Sequence, residues 1–230
     1  MHLEYLIFNI IVFSGPFFLG FLKPFYFVDR WMNTLIATVI VAVPYLVWDS
    51  LVTGSHWSFN PMYILGIKIA RLPLEEILFF ITVPFACIYT WEMIIRRNPA
   101  TEIKKLNVIK YLPYVLPLAG ILLFLNGLQY TGLVLLFLAI AVGLDHLLDT
   151  NLYLQKRFYL FLGFIILFTL VFNGYLTWRP VVLYGEAYQV GFRIFTIPIE
   201  DFGYGISLLY MCTAIYEKLR TRQESSLAGS

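Results

Sequence analysis

The sequence predicts an all-α integral membrane protein: seven transmembrane helices, forming two parallel three-helix repeats joined by an extra helix. Outer caps are expected between helices two and three and between helices six and seven. Three observations carry this reading. The composition is 60% hydrophobic and only 13% charged, with a mean hydropathy of +0.78, more apolar than a soluble core requires. Apolar runs of about 20 residues, the length a helix needs to cross a bilayer, recur along the chain. Finally, the stretch from Gly66 to Arg97 returns without a gap from Gly191 to Arg222. The two copies agree at Gly66/Gly191, Pro73/Pro198, Glu75/Glu200, Cys87/Cys212 and Glu92/Glu217.

Taken in order, the first expected span runs from Leu3 to Leu22 and carries Gly15-Pro16, which should kink it. It lacks a basic leader and a small-residue cleavage site, so it is expected to be retained. The second, Trp31 to Thr53, holds Pro44 and ends in Trp48-Asp49. Asp49 is an ionisable group at the outer interface and a candidate for substrate binding, or simply a polar helix end. From Gly54 to Leu72 the chain is too punctuated for a span, yet it contains the apolar, β-prone MYILGIKI. A structured outer cap is expected there, and the stretch from Trp178 to Ile197 has the same character.

The third span, Pro73 to Ile95, opens with Pro-Leu-Glu-Glu, and a proline followed by acids ahead of an apolar run marks a helix start. A basic linker, RRNPATEIKKLN, then leads to Val108–Asn126, Leu128–Leu148 and Arg157–Thr177. The last span is Pro198–Lys218, opened by Pro-Ile-Glu-Asp. Shifting the chain by the motif offset superposes spans one to three on five to seven and leaves span four unpaired. An odd span between two three-span units gives both the same orientation, so the repeat is parallel. The expected units are residues 1–98, a linker with the fourth span at 99–127, the second repeat at 128–220, and a polar, disordered tail at 221–230.

Orientation follows from the lysines and arginines, which favour the cytoplasmic side in short loops. With the N-terminus outside and the C-terminus inside, the inner segments hold Lys23, Arg30, the Arg96–Lys110 cluster, Lys156, Arg157 and the residues from Lys218 to Arg222. Only Lys68, Arg71, Arg179 and Arg193 fall outside. The net charge of +2 is a by-product of this bias, and no nucleic-acid partner is read into it. Cys87 and Cys212 are expected to be small packing residues.

The chemistry to explain is four carboxyls, Glu75, Glu76, Glu200 and Asp201, in the first turns of two membrane helices. Acids are favoured at helix N-termini by the macrodipole, but a helix start needs one acid and each copy has two. Ionisable groups at membrane depth are costly and usually functional. Adjacent helix positions point about 100° apart, so one acid of each pair can face an inter-helix cavity while the other orients it. The sequence reading lets Glu75 and Glu200 meet across the two halves. Acids crowded into a poorly solvated pocket supply a proton donor and a proton acceptor together. Lys68 and Arg193, five residues before each motif proline, are candidates to hold the ionised member or the substrate.

A membrane chain carrying Pro73-Leu74-Glu75-Glu76 and its repeat Pro198-Ile199-Glu200-Asp201 resembles the lycopene cyclases of the heterodimeric or fused, two-domain kind. The likeness covers nearly the whole chain, with the fourth span where a fusion linker would stand. Asp201 in place of glutamate is a mild departure that keeps the carboxyl and shortens its reach. The resemblance implies an enzyme of carotenoid biosynthesis that turns the ψ ends of lycopene, or of a related polyene, into β-ionone rings in the cell membrane, in contact with membrane lipids. Glu75, Glu76, Glu200 and Asp201 would be its catalytic residues. The reaction is redox-neutral and no GxGxxG follows a strand, so no cofactor and no metal are expected. Phe, Tyr and Trp make up 18% of the chain, and aromatic faces stabilise a carbocation.

Two rival readings remain open on the residues alone. Asp145 and Asp149, one helical turn apart, suggest a divalent-metal or diphosphate clamp of a membrane prenyltransferase. A parallel-repeat interface lined by acids would equally suit a proton-coupled transporter. A retinal protein is disfavoured because the last span's lysine, Lys218, stands at its inner end.

Overall fold

The computed structural model describes residues 2–228, and they are mostly helical. The helices are α1 (Glu4–Leu19), α2 (Trp31–Val52), α3 (Leu74–Arg97), α4 (Leu112–Leu125), α5 (Gln129–Leu147), α6 (Lys156–Phe168), α7 (Gly174–Trp178) and α8 (Ile199–Ala228). A π turn at Thr169–Asn173 carries α6 directly into α7. Each predicted apolar run is therefore helical, with ends shifted by a few residues except in α8, which continues past the expected Lys218 to Ala228.

Among the described residues, five helical stretches are long and apolar enough to cross a membrane: Val28–Val52, Leu74–Arg97, Lys104–Leu125, Gln129–Leu147 and Lys156–Trp178. The other two predicted spans fall short for different reasons. At 16 residues, α1 is about 24 Å long, less than the hydrocarbon thickness of about 30 Å. Conversely, α8 has 30 residues but is interrupted by polar ones. It is the central helix, packed by α2, α3, α5 and α6, and buries Leu208, Tyr210, Cys212, Ala214 and Tyr216 on several faces. Neighbouring helices, not lipid, supply its apolar surroundings.

The core is the α3–α8 pair. On it, α1 packs against α3 as α5 packs against α8, while α2 and α6 each touch both. Cys87 and Cys212 lie buried in this shared cluster as free thiols, in the packing role expected of them. The outer helix α4 packs on α5, where Gly120 and Gly132 bring the two backbones together.

Between α2 and α3 lie β1 (Trp57–Phe59), β2 (Lys68–Ile69) and β3 (Leu72–Pro73), and between α7 and α8 lie β4 (Val182–Tyr184), β5 (Arg193–Ile194) and β6 (Ile197–Pro198). These are the structured caps that the sequence predicts. Two hairpins repeat each other: Lys68 pairs with Pro73 as Arg193 pairs with Pro198. Ahead of them Gly66 and Gly191 both take positive φ, a conformation open to glycine at little cost. Each motif proline ends its hairpin, and Pro73 sits in extended geometry as the N-cap of α3, one position earlier than a first helical residue.

One pairing could not be read from the sequence: β1 and β4 form an antiparallel ribbon, Trp57 opposite Tyr184 and Phe59 opposite Val182. The two caps are thus one lid across both halves. At the opposite end the expected polar tail is helical to Ala228. Arg30 donates to Gln223 and Glu224, and Asn33 to Gln223, which ties this extension to the start of α2. Gly229 and Ser230 lie outside the described residues.

Candidate active site

Beneath the β1–β4 lid is a cavity of about 60 Å³ whose lining includes Asp49, Glu76 and Asp201. Three elements deliver these acids: the last turn of α2 and the first turns of α3 and α8. The same chamber therefore draws one wall from each half of the chain.

Each carboxyl has its own donors. Tyr5 Oη donates to Glu76 Oε2 at 2.6 Å. Trp57 Nε1 donates to Asp49 Oδ1 at 2.6 Å, supported by Thr53 Oγ1 at 3.3 Å. The carboxyls of Asp49 and Glu76 lie within hydrogen-bonding reach of each other, and Asp49 Oδ2 has no other partner. Two neighbouring buried carboxyls repel one another if both are ionised, so a pair of this kind suits a site that holds a proton between them. Asp201 is treated differently. Tyr130 Oη donates to its Oδ1 at 2.7 Å, and Tyr184 Oη and Asn173 Nδ2 donate to its Oδ2 at 2.7 and 3.2 Å. Burial first, and then the nearby Asp201 charge, push the Tyr184 phenol well above its usual range, so it stays a donor. Three donors thus converge on this one carboxyl.

Around these groups the walls are apolar and aromatic, with Phe79, Phe80, Trp57 and Tyr204 among them. The Tyr204 hydroxyl is buried without a partner. The chamber thus sets two neighbouring carboxyls on one side, a carboxyl held by three donors on the other, and ring faces between that can stabilise a cation.

The first acid of each motif has another job. Glu75 Oε1 accepts the backbone N–H of Leu65 at 2.6 Å, and Glu200 Oε1 accepts that of Val190 at 2.7 Å together with the Thr131 hydroxyl at 2.6 Å. Neither lines the cavity. Where the sequence reading brings Glu75 and Glu200 together, the structure brings Glu76 and Asp201 to the common chamber and leaves the first acids holding the caps. The reason is rotational: of two adjacent helix positions only one faces the neighbouring half.

Of the other candidates, Asp49 is in the chamber. Lys68 is exposed on β2, and Arg193 donates to Thr196 O and lies over the Tyr184 ring; neither forms an ion pair with a motif acid. Asp145 and Asp149 do not make a clamp. Asp145 is fully buried and accepts from Thr150, the backbone of Leu152 and Tyr153, and Tyr210, while Asp149 is exposed in the turn that follows. Tyr5, Tyr130, Trp57, Tyr184 and Asn173 were not singled out from sequence. A signal existed for two of them, since Tyr5 and Tyr130 stand at the same offset as Glu76 and Asp201.

A second reciprocal network closes the far end of the α3–α8 pair. Trp91 Nε1 donates to Glu217 and Tyr216 Oη to Glu92, at 2.8 and 2.6 Å, and Arg220 and Arg96 pair with the same two glutamates. Each glutamate is satisfied across the helix pair, which marks this network as a structural lock.

The family model described as lycopene cyclase matches residues 3–94 and 127–219. The two segments contain every acid of the chamber and leave out α4. No curated protein and no solved structure matches the chain.

Proposed function

The chain belongs to the lycopene cyclase family, and on that premise we propose that it closes the ψ ends of lycopene into β-ionone rings, giving γ-carotene and β-carotene, by acid–base chemistry in the chamber beneath the lid. Membership makes it an enzyme of carotenoid biosynthesis acting on a polyene, and its long apolar helices fit a membrane protein. The observation that carries the mechanism is the unequal treatment of the three acids. A proton shared by Asp49 and Glu76 is delivered to the terminal double bond. The resulting tertiary cation is attacked by the neighbouring alkene, which forms the ring bond and moves the positive charge into the ring. Asp201, held by three donors, takes the ring proton that neutralises it. One proton enters and one leaves, so substrate and product are isomers and the enzyme is an intramolecular lyase or isomerase. Glu75 and Glu200 keep the caps, and through them the lid, in position.

In the cell membrane we place the chain with seven spans, α1 and α8 included, as two parallel three-span repeats joined by α4. The lid and chamber face outward and the C-terminus lies in the cytoplasm. In a host that accumulates lycopene, expression should produce ringed carotenoids without an added redox partner. In deuterated water each ring should carry one solvent deuteron. Folded wild-type protein that leaves lycopene unchanged would rule out this substrate.

A further inference from the structure

The acid chamber is the inner end of a longer apolar passage. Phe79, Asn173, Asp201 and Tyr204 are shared between the chamber and an adjoining cavity of about 50 Å³. Val83, Cys87, Phe168 and Phe172 connect that cavity with one of about 190 Å³ between α1, α3 and α6. Through Val12 and Phe172 this in turn meets a groove of about 750 Å³, walled by Ile7 and Ile11 of α1 and by Val171 and Trp178. The space widens towards the side of the bundle, and its outer walls include the exposed apolar side chains of Ile7, Ile11, Val171 and Trp178.

The corresponding place in the other half is filled. There, by the repeat offset, α5 and α2 stand for α1 and α6. Tyr45 stacks on Phe137 with ring centroids 4.3 Å apart, lies 4.8 Å from the Tyr204 ring, and bonds Ser207 at 2.7 Å. Outside them α4 lies against α5. The backbone differs too: α2 is α-helical through residues 44–48, whereas the equivalent Thr169–Asn173 is the π turn. Such turns often mark functional sites in otherwise regular helices.

We propose that the polyene reaches the acids from the lipid through this one lateral portal between α1 and the α6–α7 segment, and that its two ends use the portal in turn. The inference rests on the cyclase reading above. The occupant follows from the chemistry of the walls: apart from the Glu4–Arg179 ion pair and Tyr175 in the outer groove and Thr90, Thr169 and Asn173 further in, the passage is lined by apolar and aromatic side chains, which suit a long hydrocarbon. With the chamber narrow, Phe79 and Phe172 must swing to admit a methyl-branched end, and the π turn beside Phe172 is where the helix can yield. With the equivalent space in the other half filled by Tyr45 and Phe137, a chain whose first end is in the chamber has its second end in lipid. The one-ringed product must therefore withdraw before the other end can react.

Gly15 lines the 190 Å³ cavity, and a side chain added there meets nothing within 4 Å. Gly15→Trp should fill the portal without touching an acid, and Gly15→Leu should do so partly. Leu118→Trp, on the exposed side of α4, is the control of equal bulk. Gly15→Trp should lower ring formation about tenfold or more, as obstructed positioning does, with Gly15→Leu intermediate and Leu118→Trp at the wild-type rate. Lycopene absorbance retained by the purified protein should be lost in Gly15→Trp and kept in Leu118→Trp, a readout that decides the portal even if no ring is formed. With labelled lycopene, added unlabelled γ-carotene should dilute the label in the two-ringed product. A folded Gly15→Trp protein that retains polyene like the wild type overturns the portal, and undiluted two-ringed product overturns use of the two ends in turn.

Discussion

Glu75 and Glu76 are neighbours in one turn of α3, and their surroundings divide them completely. Glu76 meets Asp49 and Tyr5 in the chamber, whereas Glu75 holds the backbone of Leu65. The second motif repeats the division, with Asp201 inside and Glu200 on Val190. Glu76→Gln and Asp201→Asn should therefore cut ring formation by about 10² to 10⁴, the usual contribution of a general acid or base, with little change in melting temperature. Glu75→Gln and Glu200→Gln alter the carboxyl that accepts the backbone N–H of the cap. That should cost up to about 1.5–3 kcal/mol of stability and affect the rate less. Rates and melting curves on the four variants check the order; larger rate losses at Glu75 and Glu200 would return catalysis to the first acids. The motif was legible because acids at an apolar helix start stand out. Which acid of each pair faces the chamber was not, because it depends on how α3 and α8 are rotated against each other.

Among the elements, α4 stands apart. It lies outside both segments matched by the family, packs on α5, and contributes no residue to the chamber. Its contact is close: a Cβ on Gly132 would stand 2.5 Å from Gly120 O and 2.7 Å from Phe124 N, so no side chain fits unless α4 moves. Gly132→Ala should cost about 1–3 kcal/mol by overpacking. Turnover per folded molecule should stay near wild type, because the acids sit on other helices. Thermal unfolding combined with active-protein titration checks this, and a lost rate with unchanged stability would give α4 a part in the chemistry. The run of apolar residues made α4 visible as a helix. Its seat on α5 depends on two glycines meeting across a helix pair, which no periodicity in the sequence announces.

Across the whole molecule the charges separate. The chamber lies where α2 ends and α3 and α8 begin, while Arg30, Arg96, Arg157 and Arg220 gather around a pocket at the other end of the same bundle. Arginines collected at one end are what cytoplasmic retention of basic segments produces, and this supports the proposed orientation. With Cys87 and Cys212 buried, new thiols can be read against a low background. An impermeant thiol reagent applied outside intact cells should label Asn60→Cys, next to the lid, and spare Thr101→Cys in the linker. The reverse pattern would invert the chain in the membrane.

By itself the sequence determined the helices, the paired caps, the repeated acid motif and the family. Each of these depends on local matters: apolar run length, turn residues, the conformation proline imposes, and acids beside apolar sequence. Only the tertiary structure decided that β1 and β4 join the two caps into one lid, and that α8 is an inner helix covered by its neighbours. It alone recruited Asp49, Tyr130 and Tyr184 from distant segments to the second acid of each motif. Burial, helix rotation and hydrogen-bond partners arise where elements meet, and a pattern confined to one segment carries no record of the segment it will face.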